Sequence, residues 1–94
     1  MVAGLDAMLA LQAAEDPLEK RRRQLRRGRG LLDALDGLKM AMLGPGASAA
    51  DLARLAELVG QGRERSEDPG LESVLAEIDL RAAVELAKWE KGKP

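Results

Sequence analysis

Histidine and cysteine are both absent from this chain of 94 residues. Imidazole acid–base catalysis, thiol nucleophiles and zinc sites of the usual ligand types are therefore excluded. Ser48, Ser66 and Ser73 offer hydroxyl groups, but a serine nucleophile needs a neighbouring base to activate it. Lysine and carboxylate side chains could do chemistry in principle, yet their spacing gathers none of them into a cleft. The chain is expected to be no enzyme, with no catalytic, cofactor-binding or metal-binding residues. Its function is sought instead in binding.

Charge is the most visible binding feature. Lys20, Arg21, Arg22, Arg23, Arg26, Arg27 and Arg29 place seven of the fifteen basic residues in ten positions. Clustered arginine contacts phosphate, which makes nucleic acid a candidate ligand. Against this stand a formal net charge of −1, the absence of Phe and Tyr for base stacking, and a distribution all round the helix. Glu15, Asp16 and Glu19 lie alongside. The favoured reading is a solvated helical shaft, ahead of an acidic partner or anionic lipid surface and of specific nucleic-acid binding. On that reading, replacing Arg22, Arg23, Arg26 and Arg27 with Gln should change stability little.

The elements carrying these residues follow from composition. Leu and Ala dominate the apolar set, while only four Val and Ile78 are β-branched. Leu and Ala lose little freedom in a helix, whereas sheets favour branched and aromatic side chains. An all-α fold is expected: a small helical bundle in which a short N-terminal helix is followed by three longer ones. One domain spans 1–94, with helices at roughly 4–14, 17–43, 49–62 and 69–90 and a disordered tail at 91–94. At this length a stability of about 5–14 kcal/mol is expected.

Leu5, Met8, Leu9 and Leu11 mark the first helix. Asp16 caps the second, Pro17 opens it, and Glu19 stands where a capping box needs it. Leu18, Leu25, Leu31, Leu32, Leu35, Leu38, Met42 and Leu43 form its broad apolar stripe. Gly28 and Gly30 interrupt that stripe and could mark a close crossing, a bend or a weak point. Gly44 is expected as a left-handed C-terminal cap, and Ser48 as the N-cap of the third helix, which turns Leu52, Leu55, Leu58 and Val59 inward. After a polar connection over 60–70, Asp68 and Pro69 repeat the Asp-Pro start. Met8, Met40 and Met42 are expected to fill the core.

The fourth helix carries two apolar stripes. Leu71, Val74, Leu75, Ile78, Ala82, Leu86 and Trp89 form the first, with Trp89 closing one end of the core. Ala76, Leu80, Ala83, Val84 and Ala87 lie roughly opposite. An amphipathic surface helix needs only one stripe, so the second is either buried by the chain itself or kept for a partner. It is the candidate partner-binding face, where small alanines admit a close helix and Leu80 and Val84 supply apolar area.

Three runs together resemble the FliX family of bacterial flagellar assembly regulators: MLALQAAEDPLEKRRR (8–23), LLDALDGLKMAML (31–43) and EIDLRAAVELAK (77–88). Their order and spacing carry the likeness, and the last is the most specific. Family members have a further N-terminal segment, so the resemblance assigns this chain to their C-terminal, globular part. It implies a regulator that couples early flagellar assembly to later flagellar gene transcription. The implied partner is FlbD, a transcription activator, with early flagellar structure as a second and some peripheral membrane association.

No run reaches the ~20 apolar residues that span a bilayer, and the N-terminus lacks the pattern of a signal peptide. A cytoplasmic protein is expected. Two rivals remain: a nucleic-acid-binding protein using residues 20–29, and a self-associating structural bundle.

Overall fold

The computed structural model describes residues 4–5, 16–44 and 49–91, and among these it is all helix and connection. Three helices follow one another: α1 (Pro17–Met42), α2 (Ala49–Gln61) and α3 (Pro69–Lys91). The architecture of a short helix plus three longer ones is therefore not matched. Gly4 and Leu5 are helical, but the rest of the first expected helix lies outside the described residues, as does Ser48. The last helix continues through Lys91, one residue into the tail expected to be disordered.

Both Asp-Pro starts form as their chemistry dictates. Asp16 Oδ1 accepts from the Leu18 amide at 3.0 Å. Asp68 Oδ1 accepts from the amides of Gly70 at 2.9 Å and Leu71 at 3.3 Å. Each carboxylate satisfies amides that lack an intrahelical acceptor, and the proline supplies a helical φ where no N–H is needed. Glu19 turns to Arg22, at 2.9 Å, as well as lying in the first turn.

The glycine expected to reverse the chain after α1 does not do so. Leu43 stays right-handed, and the Leu43 and Gly44 amides donate to Met40 O and Ala41 O at 3.1 and 3.2 Å. These tightened turns satisfy the last carbonyls, so no left-handed residue is required there. It is Gly62 after α2 that is left-handed, with φ 78°, and its amide donates to Val59 O. That conformation strains any residue with a β-carbon.

Each helix packs on the other two. Leu31, Ala34 and Leu38 from α1, Leu55 from α2 and Ala82 from α3 form the buried centre. Leu35, Leu52, Leu58, Val59, Ile78, Leu86 and Trp89 pack around it. The glycines of α1 prove to be crossing points. A β-carbon on Gly28 would stand 3.0 Å from Leu75 Cδ2, and one on Gly30 would stand 3.3 Å from Leu58 Cδ1. Absent side chains bring α3 and α2 close to the shaft.

Burial is narrower than the broad stripe foretells. Leu18, Leu25, Leu32, Met42 and Leu43 are exposed, as is Met40. At 100° per residue Leu18, Leu25 and Leu32 lie roughly opposite Leu31, Ala34 and Leu38. Two neighbouring helices cover one side of α1 and leave the other bare. The core-filling role expected of Met40 is overturned by the same geometry; Met42 falls on the core side of the wheel but is exposed as the last residue of α1.

Candidate functional site

α3 separates its two stripes into a core face and an outward face. On the first, Leu75 and Ala82 are buried, and Leu71, Ile78, Leu86 and Trp89 are half-buried. Val74 departs from the expectation, being 55% exposed; it sits at the edge of the stripe. On the second, Leu80 is 66% and Val84 42% exposed, Ala83 and Ala87 are exposed, and Ala76 is half-buried. The residues thus share one side of one helix, and most of that side meets solvent.

The basic run is less solvated than its sequence foretells. Arg27 lies between all three helices. Its Nη1 pairs with Asp79 Oδ1 of α3 at 2.8 Å, and its Nη2 donates to the Leu58 carbonyl of α2 at 2.8 Å. Leu58 belongs to the last turn of α2, whose carbonyls have no intrahelical donor, so Arg27 caps that end from outside. The Arg27 Nε is buried with no hydrogen-bond partner among the described residues. The ion pair is sheltered, with Arg27 and Asp79 side chains 15% and 23% exposed.

Asp79 is shared. Arg63, in the connection between α2 and α3, brings its Nε to 2.8 Å from Asp79 Oδ2. Its Nη1 and Nη2 grip Glu72 at 2.6 and 2.8 Å. Glu72 also accepts from the Ser66 amide at 2.8 Å. Along the same connection Arg23 pairs with Glu64, Gln24 donates to the Arg65 carbonyl at 3.2 Å, and Arg21 reaches Asp68 at 3.4 Å. Two arginines and a glutamine of the shaft therefore serve as internal struts for residues 62–68. On the charged flank of α3, Arg81 and Lys88 both reach Glu85, at 3.9 and 3.4 Å. Helical spacing alone gives the Arg81–Glu85 contact, but the pairs between elements could not be read from sequence, because periodicity places a charge on a face without saying what faces it.

Arg63 and the Ser66 amide hold the Glu72 carboxyl down at about 2, from an ordinary 4.5. A depressed carboxylate stabilises the fold fully above its unfolded pKa and loses that contribution as pH falls through the folded one. Between about pH 4.5 and 2 the connection should accordingly loosen. A carbon-detected titration of Glu72 should find its midpoint near the lower value. In Arg63→Gln that midpoint should rise toward the ordinary range near 4.3, roughly, with loss of Ser66 amide protection. A Glu72 titrating normally in the intact chain would contradict the bidentate grip.

Among the described residues no group of three or more His, Cys, Asp or Glu is placed to hold a metal ion, and no helix is long and apolar enough to cross a membrane. Open grooves, about 590 and 570 Å³, lie at Pro17–Asp68 and between the C-terminal ends of α1 and α3 beside Trp89. Neither assembles a reactive set. The geometry offers faces rather than a cleft.

A family model described as a class II flagellar assembly regulator, FliX, matches residues 1–90. The chain belongs to the FliX family. The match takes in α1, α2 and all of α3 but its last residue. The flagellar assembly protein FliX of Caulobacter vibrioides is 48% identical over 74 residues, covering 79% of this chain and 51% of that protein. The chain thus spans about half the length of the curated FliX it matches. No solved structure matches it.

Proposed function

We propose that this domain is the protein-binding part of a flagellar regulator, docking on a transcription activator of the FlbD type through the outward face of α3. Its work is to couple early flagellar assembly to later flagellar gene transcription. The observation that carries the reading is the exposure of Leu80 and Val84 on a helix whose opposite side is committed to the core. Ala76, Ala83 and Ala87 extend that face, and their small side chains let a partner helix approach closely. Family membership supplies the flagellar context, and the resemblance in the 77–88 run supplies the partner. Association with early flagellar structure or the membrane periphery belongs to the same proposal.

Nucleic acid fits the geometry less well. Arg21, Arg22, Arg23 and Arg27 are engaged with carboxylates of the chain itself, which lowers the charge left to displace counterions.

The test is a titration of the activator with Leu80→Lys and Val84→Lys. Both variants should melt within about 1 kcal/mol of the parent, because both positions face solvent. Binding should fall by about a hundredfold or more, since a lysine there must be desolvated against an apolar surface. Unchanged affinity in both variants would sink the proposed face.

A further inference from the structure

The side of α1 turned away from α2 and α3 carries a second apolar stripe, unpartnered among the described residues. Leu18, Leu25 and Leu32 recur every seven residues and are 51%, 46% and 49% exposed, and Met40 and Leu43 prolong the row. On the wheel all five fall within about 80° of one another, as a helix-packing seam does. The charges along this side are sorted by position. On one flank Arg22, Arg26 and Arg29 border its first half and Asp33 and Asp36 its second, while Arg21 and Lys39 lie on the other flank. Arg26, Arg29, Asp33 and Asp36 are exposed and form no ion pair among the described residues.

We infer that this side of α1 is a self-association surface on which a second copy of the chain lies antiparallel. A two-fold contact brings one patch against itself, so the patch must be self-complementary. With the axis near residue 29, Leu18 of one copy falls beside Met40 of the other, and Leu25 beside Leu32. In the same register Arg22 falls beside Asp36 and Arg26 beside Asp33. Arg29 meets its counterpart at the axis, with Asp33 of the other chain one turn away to receive it. A parallel arrangement would instead set Arg22, Arg26 and Arg29 against themselves. A wholly acidic partner would match only the first half of the row. From Leu18 to Met40 the seam runs about 33 Å. It does not depend on the α3 face, which lies on another helix.

Sedimentation of the intact chain from micromolar to millimolar concentration tests the inference. A monomer–dimer equilibrium is expected. Leu25→Lys should abolish the dimer while circular dichroism keeps its helical signal. Arg26→Glu or Asp33→Arg alone should weaken association by about tenfold, and the two combined should restore it to within about threefold. Sedimentation as a monomer throughout would overturn the proposal. So would a dimer that ignores Leu25→Lys, or a double charge reversal weaker than either single one.

Discussion

Replacing Leu55 with Ala is expected to destabilise the domain by about 2–5 kcal/mol, a large part of the roughly 5–14 kcal/mol available to a chain of this size. Leu55 is fully buried and is the buried residue of α2. That helix has 13 residues, a length at which an isolated helix is marginal in water, so α2 persists by packing. Truncation removes the apolar transfer energy and leaves a void between Leu31, Leu38 and Ala82, which share its cluster. Urea denaturation, set beside Leu32→Ala on the exposed side of α1, reads the difference. A loss below about 1 kcal/mol would show that α2 is held by something other than this side chain.

Asp79→Asn should rank second. The change leaves Arg27 and Arg63 beside one another without the carboxylate both of them contact. Removing one member of a buried pair costs about 3–5 kcal/mol because the remaining charge is stranded; partial exposure here lowers the expectation to about 2–3 kcal/mol. Arg27→Met should cost less. Asp79 would keep Arg63, and the methionine would occupy the apolar part of the arginine's volume, leaving mainly the Leu58 carbonyl without its donor. Denaturant midpoints of the two variants give the order directly. Asp79→Asn no less stable than the parent would mean that the network adds nothing beyond solvation of its charges.

Local chemistry was legible in the sequence at the two Asp-Pro starts, though not at Gly44, where a left-handed cap was expected and does not form. Asp16-Pro17 and Asp68-Pro69 start helices because a short carboxylate reaches amides two or three residues on. The core stripe of α3 followed from its spacing of three and four. What escaped were relations between distant residues. Arg27 and Asp79 are 52 positions apart, and nothing in either one's surroundings names the other. Replacing Arg22, Arg23, Arg26 and Arg27 together is for that reason no longer expected to be harmless. Gly28 and Gly30 could be bends or crossings until the opposing Leu75 and Leu58 were in place. The outward α3 residues Leu80 and Val84 could be singled out from the wheel, but whether another helix covered them was a question of how three helices divide their surfaces. The same question decided against Met40, since a wide apolar stripe has more circumference than two neighbours can cover, whereas Met42 is bare because the helix ends there.

Residues 62–68 and the helices they join are held by different forces. The helices meet mainly through leucine and alanine, with Arg27–Asp79 as an ion pair between α1 and α3, whereas the connection is fixed by Arg63–Glu72, Arg23–Glu64 and Arg21–Asp68. Added salt weakens the half-exposed pairs Arg23–Glu64 and Arg21–Asp68 more than the sheltered Arg63–Glu72, while burial of hydrocarbon is not weakened by it. The domain therefore has two handles, joined at Asp79, which pairs with Arg63 of the connection and Arg27 of α1. Acid acts first on the strap, at Glu72. A truncated leucine loosens the bundle and everything attached to it. In hydrogen-exchange terms the strap is a separate opening unit, with protection set by its charges and not by the global free energy of the fold.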